Sequence, residues 1–336
     1  MIEIDGSKGE GGGQMLRTAL GLSALTGKAF RIFNIRAKRE KPGLRPQHLH
    51  AVRAVQQACG AEVTGAEPDS RELTFTPNRL EPRKIRVNIG TAGSTTLVLQ
   101  ALMIPATRVQ LEAEITGGTD NPLAPPIDYL INVTLPILAK LGYQAESRLV
   151  RRGHYPAGFG KIYFRSNSFE PRPINLEKRG ELKIVRGLVH VTRLSDNIAH
   201  RELQAAKIIL LNNNILDLKI EEEISEVGSP GTGIVLWAEC EQSILGSSSL
   251  GEINKRAEIV GKEAAEGLLK ELESGMALDF RMADQIIPYL ALAGGSVTAT
   301  KITQHAKTCA EICNLFLDRK VRVEGDIGSP GKIIAE

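Results

Sequence analysis

The sequence predicts an α/β (α+β) protein: three βαβαββ repeats forming a large domain, with a small α/β domain inserted in the third repeat. Three observations predict it. The order strand, glycine turn, helix, strand, loop, helix, strand, strand occurs twice in succession over the first half of the 336 residues. A third copy starts at "PINLE" (173–177), but its first helix arrives only at "MADQIIPYLALAGG" (282–295). The residues between carry their own strand–helix–strand–strand–helix pattern. The expected boundaries are 1–179 and 275–336 for the domain of repeats and 180–274 for the insert. Two sequential domains meeting near residue 180 is the competing arrangement.

In the first copy a strand at 2–4 precedes the glycine turn and a helix over 14–25. A strand at 30–35, a polar loop and a helix over 46–59 follow, then strands at 61–64 and 73–75. The second copy runs from a strand at 85–88 through the turn "GTAGS" and a helix over 95–103 to a strand at 109–114. The loop "TGGTDNPLAPP" leads to a helix over 127–141 and strands at 143–149 and 161–164. In the insert, "LKIVRGLVHV" alternates as a strand, "AHRELQAAKIILL" has helical period, and "GIVLWAEC" is a second strand. The third copy resumes at 282 and closes with "SVTATKI", the helix "QHAKTCAEICNLFL" and strands around 321–323 and 332–334. Each unit covers one face of its sheet with two helices, so three can pack around a shared centre lined by their turns.

Composition narrows the class. Apolar residues make up 42% and charged residues 24%, as in a globular protein with a good core. The net charge of +3 and 4% aromatic content argue against broad, non-specific nucleic-acid binding, so any basic patch must be local. One exists: Arg31, Arg36, Lys38, Arg39, Lys41 and Arg45 are opposed only by Glu40. No leader peptide and no membrane span are expected, and four cysteines without a framework spacing fit free thiols in the reducing cytoplasm.

Four stretches carry candidate chemistry. "GSKGEGGGQ" (6–14) lacks the Gly-Lys-Ser/Thr ending of a Walker motif and the spacing of a dinucleotide fingerprint. Its glycines let a ligand approach the backbone, and the helix start at Gln14 favours an anion, with Arg17 one turn in to fork onto phosphate. Glu10 would repel phosphate unless a divalent cation lay between them; a tight turn with an exposed Glu and a paired Arg is the plainer alternative. "NIRAKREKPGLRPQHLH" (34–50) is either a clamp for a polyanion, using Arg36, Arg39, Gln47 and His48, or a solvated charge run. "TGGTDNPLAPP" offers a rigid Pro125–Pro126 wall that could stack on a planar base, although its prolines and Asp120 are first of all turn formers. "KITQHAKTCAEICNLF" sets His305 at a helix start, where the imidazolium is disfavoured and a neutral, nucleophilic ring is expected. His305, Cys309 and Cys313 share one line along that helix, which does not surround a metal ion. Asp284 and Gln285 are expected in the first turn of the third copy's first helix, matching Gln14 and Thr95.

Together "DGSKGEGGGQMLR", "IRAKREKPGLRPQHL", "GTAGSTTLVLQ", "GGTDNPLAPP", "HYPAG", "ADQIIPYLALAG" and the histidine of "TQHAKT" resemble, in order, the motifs of the RNA 3'-terminal phosphate cyclase family. The resemblance runs from Ile4 nearly to the end. It implies conversion of an RNA 3'-phosphate to a 2',3'-cyclic phosphate with ATP and Mg²⁺ or Mn²⁺, through a histidyl-adenylate on His305. By the same resemblance Glu10 holds the metal, Gln14 and Arg17 lie beside the ATP phosphates, and Arg36, Arg39, Gln47 and His48 bind phosphates of ATP or the RNA end. Gln100 lines the site, Pro125 packs on adenine opposite His305, and Asp284 and Gln285 seat the adenylate. Arg281 and the small, polar segment 244–251 depart from positions where members can place an aromatic at the nucleotide. The partners implied are ATP and RNA bearing a 3'-terminal phosphate, with a homo-oligomer left open. A non-catalytic RNA-binding paralogue in ribosome assembly would lack His305. An enolpyruvate transferase shares the repeat unit but has no use for the His305 helix or the basic clamp.

Overall fold

The computed structural model describes residues 1–9 and 12–336. The first unit comprises β1 (Ile2–Asp5), α1 (Gly13–Thr26), β2 (Phe30–Phe33), α2 (Pro46–Cys59), β3 (Glu62–Thr64) and β4 (Leu73–Thr76). The second comprises β5 (Arg83–Asn88), α3 (Thr95–Met103), β6 (Leu111–Gly117), the short helices α4 (Ile127–Tyr129) and α5 (Leu135–Ala139), β7 (Ala145–Arg151) and β8 (Gly160–Ser166). β9 (Ile174–Leu176) opens the third. It is followed by β10 (Leu182–Thr192), α6 (Asp196–Asn212), β11 (Leu218–Ser225), β12 (Gly231–Cys240), β13 (Ile244–Leu250) and α7 (Ala257–Glu273). The third unit resumes with α8 (Phe280–Gln285), α9 (Ile287–Ala293), β14 (Gly295–Ala299), α10 (Gln304–Phe316), β15 (Val321–Glu324) and β16 (Gly331–Ala335).

The sheets state the repeat directly. Their orders are β1-β2-β4-β3, β5-β6-β8-β7 and β9-β14-β16-β15, one topology three times over. In each, the first two strands are parallel and the remaining pairings antiparallel. β9 pairs with β14 more than a hundred residues later, Asn175 opposite Ser296, as the split-repeat reading requires. The fourth sheet, β11-β10-β12-β13, has a different order and buries its own apolar cluster, including Val189, Ile234, Leu236 and Leu268, against α6 and α7.

The three repeat sheets share one core, in which Leu16 and Leu20 of α1, Leu102 of α3, Leu290 of α9 and Phe316 of α10 are buried together. α1 is the hub, packing on α2, α3 and α10. Its Gly21 permits the approach to α3, since a methyl group there would lie 2.8 Å from Ile104.

Several boundaries differ from the sequence expectation, each for a local reason. The helix expected over 127–141 is broken by a π turn at Leu130–Thr134, just before Pro136, which cannot donate back to the preceding turn. The helix expected over 282–295 is two helices, α8 and α9, hinged at Ile286 before Pro288. The strand expected over 30–35 stops at Phe33 because Asn34 and Arg36 adopt positive φ. The insert holds one strand more than expected, β13, whose "ILGSSSL" has too many serines and too little alternation to announce itself.

Candidate active site

A cleft of about 760 Å³ opens where the three units meet, floored by the starts of α1 and α10, the end of α8 and the face of α3. Most of the residues singled out from sequence line it, His48, Pro126 and Arg281 among them. From the first unit come Gln14, Arg17, Arg36, Arg39 and Gln47. From the second come Gln100 and Pro125, and from the third Asp284, Gln285 and His305. Glu10, singled out as catalytic and metal-binding, lies outside the described residues.

The glycine turn is built for contact. Asp5 accepts hydrogen bonds from the amide (3.0 Å) and hydroxyl (2.8 Å) of Ser7, which turns the chain out of β1. Gly9 has φ +56°, and a methyl group on it would sit 2.3 Å from Oγ1 of Thr308 on α10. A methyl group on Gly12 would lie 3.4 Å from Nη2 of Arg39 and 3.6 Å from Cε1 of His305. The turn therefore lies between the basic loop and the helix carrying His305. Gly12 has no side chain with which to cap α1, so its first turn presents backbone N–H groups that suit an anion.

The surrounding electrostatics follow from burial. Arg17 reaches into the cleft, and desolvation, opposed by Asp284, pushes its guanidinium down to about 10, so it stays charged at neutral pH. His48 is buried; desolvation first, then Arg17, Arg36 and Arg45, push it down to about 3. Its Nδ1 accepts the Arg45 amide at 3.0 Å, which leaves the proton on Nε2, beside Gly13. Arg36 also has a local task. Its Nη1 donates to the carbonyls of Lys41 (2.5 Å) and Gly43 (3.0 Å), so much of its hydrogen bonding shapes the basic loop itself.

The far wall is an amide relay. Gln14 donates to Asp284, Gln100 donates to Oε1 of Gln285 at 3.1 Å, and Thr134 donates to the same oxygen at 3.2 Å. Asp284 and Gln285 lie in the last turn of α8, not the first turn as expected. The helix starts at Phe280, two residues before Met282, capped by Asp279, whose carboxylate accepts the amides of Arg281 and Met282 at 2.9 Å each. Gln47 accepts the Ser94 amide at 3.3 Å, tying α2 to the "GTAGS" turn. Thr96 donates to the carbonyl of Pro125 at 2.8 Å and fixes the proline wall.

His305 sits in the first turn of α10, capped by Thr303, whose hydroxyl oxygen accepts the Ala306 amide at 3.1 Å. Cys309 and Cys313 behind it are buried, free thiols, in keeping with a packing role.

Sequence reasoning missed several lining residues. Phe280 stands one position before Arg281 and supplies an aromatic face, with the Arg281 guanidinium 5.0 Å and the Lys301 ammonium 4.5 Å from its ring centre. Lys255, Ser249 and Glu263 come from the insert side, with Lys255 donating to Glu263 at 2.6 Å. No motif flagged Lys255; the Phe before "RMADQ" could have been read had the helix start been placed at Asp279.

Comparison with known proteins shows the family. A profile of the family described as RNA 3'-terminal phosphate cyclase matches residues 8–323. The chain belongs to the RNA 3'-terminal phosphate cyclase family. Proteins of that name from Pyrococcus abyssi and Thermococcus onnurineus are 48% and 47% identical, each alignment covering 99% of this chain and 98% of the relative. The protein of that name from Saccharolobus solfataricus is 45% identical over 97% of both chains. The mixed α/β architecture of repeated four-stranded sheets is consistent with membership of this family. Among the described residues, no helix is long and apolar enough to cross a membrane.

Proposed function

We propose that this protein converts an RNA 3'-terminal phosphate into a 2',3'-cyclic phosphodiester at the expense of ATP, with His305 as the nucleophile. The observation that carries the reading is His305 at the start of α10, across from the glycine turn and the uncapped start of α1, in a cleft shared with Arg17 and Arg39. The full-length match to cyclases supports the same activity. The cleft volume lies within the roughly 300–1,000 Å³ typical of small-molecule sites.

The imidazole of His305 attacks the α-phosphorus of ATP, a P–N bond forms, and the bond to pyrophosphate breaks. Arg17 and Arg39 stabilise the charge on the phosphates, and the N–H groups at the start of α1 donate to the remaining phosphate oxygens, as in other anion sites. An oxygen of the RNA 3'-phosphate then displaces His305 from phosphorus, giving a phosphoanhydride. The neighbouring 2'-hydroxyl oxygen attacks the terminal phosphorus, loses its proton, and AMP leaves. Only RNA has that hydroxyl. Pro125 and Phe280 offer apolar faces for the base, and Gln14, Gln100, Asp284 and Gln285 hold the adenylate side of the cleft. Mg²⁺ or Mn²⁺ would neutralise phosphate charge. Glu10 is the sequence's candidate ligand, and one carboxylate together with substrate oxygens is a sufficient protein share for such an ion.

Incubation with α-labelled ATP and Mg²⁺ should leave an acid-labile label on the denatured protein. The label should vanish in His305→Ala and discharge on adding 3'-phosphate RNA, with cyclic-ended RNA appearing. A labelled His305→Ala protein would remove His305 from this role.

A further inference from the structure

Behind the proline wall, away from His305, a second cluster joins the β10–β13 sheet to the repeats. Asp120, His154 and His190 are all buried, at 1%, 4% and 0% exposure, and one ligating atom from each lies within 4.8 Å of the other two. We propose that these three residues form a buried site for a divalent transition-metal ion, zinc first among them.

The donor set is two imidazoles and a carboxylate, the mixture that borderline cations such as Zn²⁺ prefer and that Mg²⁺ does not. The second observation is the state of the donors. Among the described residues, Nε2 of His154 and Nδ1 of His190 are buried without a hydrogen-bond partner, and Oδ1 of Asp120 and Nε2 of His190 face only each other. Nε2 of His190 is 3.3 Å from Oδ1 of Asp120, a charge contact that already turns these two donors toward one point. Orphaned polar atoms this deep are costly, and one cation would satisfy an atom of each residue.

The supporting shell orients the donors. Oδ2 of Asp120 is occupied by the Thr119 hydroxyl at 2.7 Å and Nη1 of Arg152 at 3.3 Å, which leaves Oδ1 turned to the histidines. Asp120 and His154 are held side by side by a backbone bridge. His190 stands opposite Gly233 on β12, where a methyl group would lie 3.1 Å from its ring. A methyl group on Gly231 would fall 2.1 Å from Cγ of His154, so two glycines of one strand make room for the two rings. Charge also favours a cation. The Arg152 guanidinium is shared among Asp120, Asp128 (2.8 Å) and Glu223 (2.6 Å), three carboxylates against one positive group. Zinc–ligand bonds of about 2.0–2.2 Å need the three donors drawn closer than 4.8 Å, so binding would tighten the junction. That junction carries Asn121, the next residue along and part of the cleft wall.

The site stands independently of the cyclase reading and is tested without turnover. Chelator-stripped protein titrated with Co²⁺ should develop visible d–d absorption that saturates at one equivalent and is displaced by Zn²⁺, and Zn²⁺ should raise Tm by several degrees. Glu10→Ala and His305→Ala should keep the absorption, whereas His190→Ala and the isosteric Asp120→Asn should lose it. Crystals of the zinc-loaded wild type should show an anomalous peak at the zinc edge between the three side chains, a readout that holds even if the variants misfold. Absence of Co²⁺ absorption in the wild type, its survival in both His190→Ala and Asp120→Asn, or an anomalous peak elsewhere alone would overturn the site.

Discussion

Gly13 and His48 show how single residues set the cleft. Gly13 has an ordinary helical backbone, so alanine would suit the helix, yet its methyl group would fall 2.2 Å from Nε2 of His48 and 3.0 Å from Nη1 of Arg17. Gly13→Ala is expected to cost about 1–3 kcal/mol of stability, and His48→Ala in the same chain to recover much of it. Urea melts of the four proteins in this cycle check the coupling; additive losses would mean the contact is not tight. Glu271 makes a second residue-level prediction. It accepts from the Thr300 hydroxyl and from the Phe280 amide at 3.3 Å, and burial, with Asp279 adding to it, pushes its carboxyl up from 4.5 to about 7. The folded chain thus keeps a proton that the unfolded chain releases near 4.5. Its contribution to stability is complete below that pH and is lost as pH rises to about 7. Glu271→Gln should therefore raise stability at pH 8, by about 2 kcal/mol, and change it little at pH 5. Equal shifts in Tm at both pH values would refute the assignment. At this scale the sequence was informative where chemistry is local: a glycine turn, a basic loop and a helix-start histidine can each be read in place. Lys255 and Phe280 could not, because only tertiary packing brings them to the cleft.

Among the elements, α8 is the one whose ends decide most. Asp279 caps it, accepts the Tyr129 hydroxyl at 2.6 Å, and accepts the Gly246 amide of β13 at 2.8 Å. One carboxylate thus fixes the helix that carries Asp284 and Gln285, the α4 segment and the edge strand of the fourth sheet. Asp279→Ala should cost about 3–4 kcal/mol, from a lost cap and two buried donors left without a partner. A loss below about 1 kcal/mol in urea unfolding would show that the three elements are held by other contacts. The strand and helix order of the repeats was legible because hydrophobic period and glycine turns recur. What failed was local: Pro136 and Pro288 split helices whose apolar pattern runs on unbroken, and the serines of β13 hid a strand stabilised by pairing with β12. The misplaced start of α8 put Asp284 and Gln285 at the wrong end of their helix, although both still reach the cleft.

Across the whole molecule, the third unit is interrupted at a point where its two ends meet. The Arg179 amide donates to the Gly275 carbonyl at 3.3 Å, so the intervening chain leaves and returns at one place. We propose 180–274 as a separately folding unit, on the strength of its own sheet order and its own buried cluster. Expressed alone, this segment should give a cooperative thermal unfolding transition by circular dichroism; a gradual, sloping melt would show that it needs the repeats. The shared cleft has a further consequence in time. Synthesis runs from the amino end, and early segments can fold while later ones are still being made. The glycine turn, α1 and the basic loop emerge first, whereas α10 must thread back to pack on α1 after some three hundred residues have been joined. A nascent chain therefore possesses the turn and the basic loop long before it possesses His305. If His305 is the nucleophile proposed above, such a chain has nothing to attack a nucleotide with, and reactivity would wait until the last unit docks.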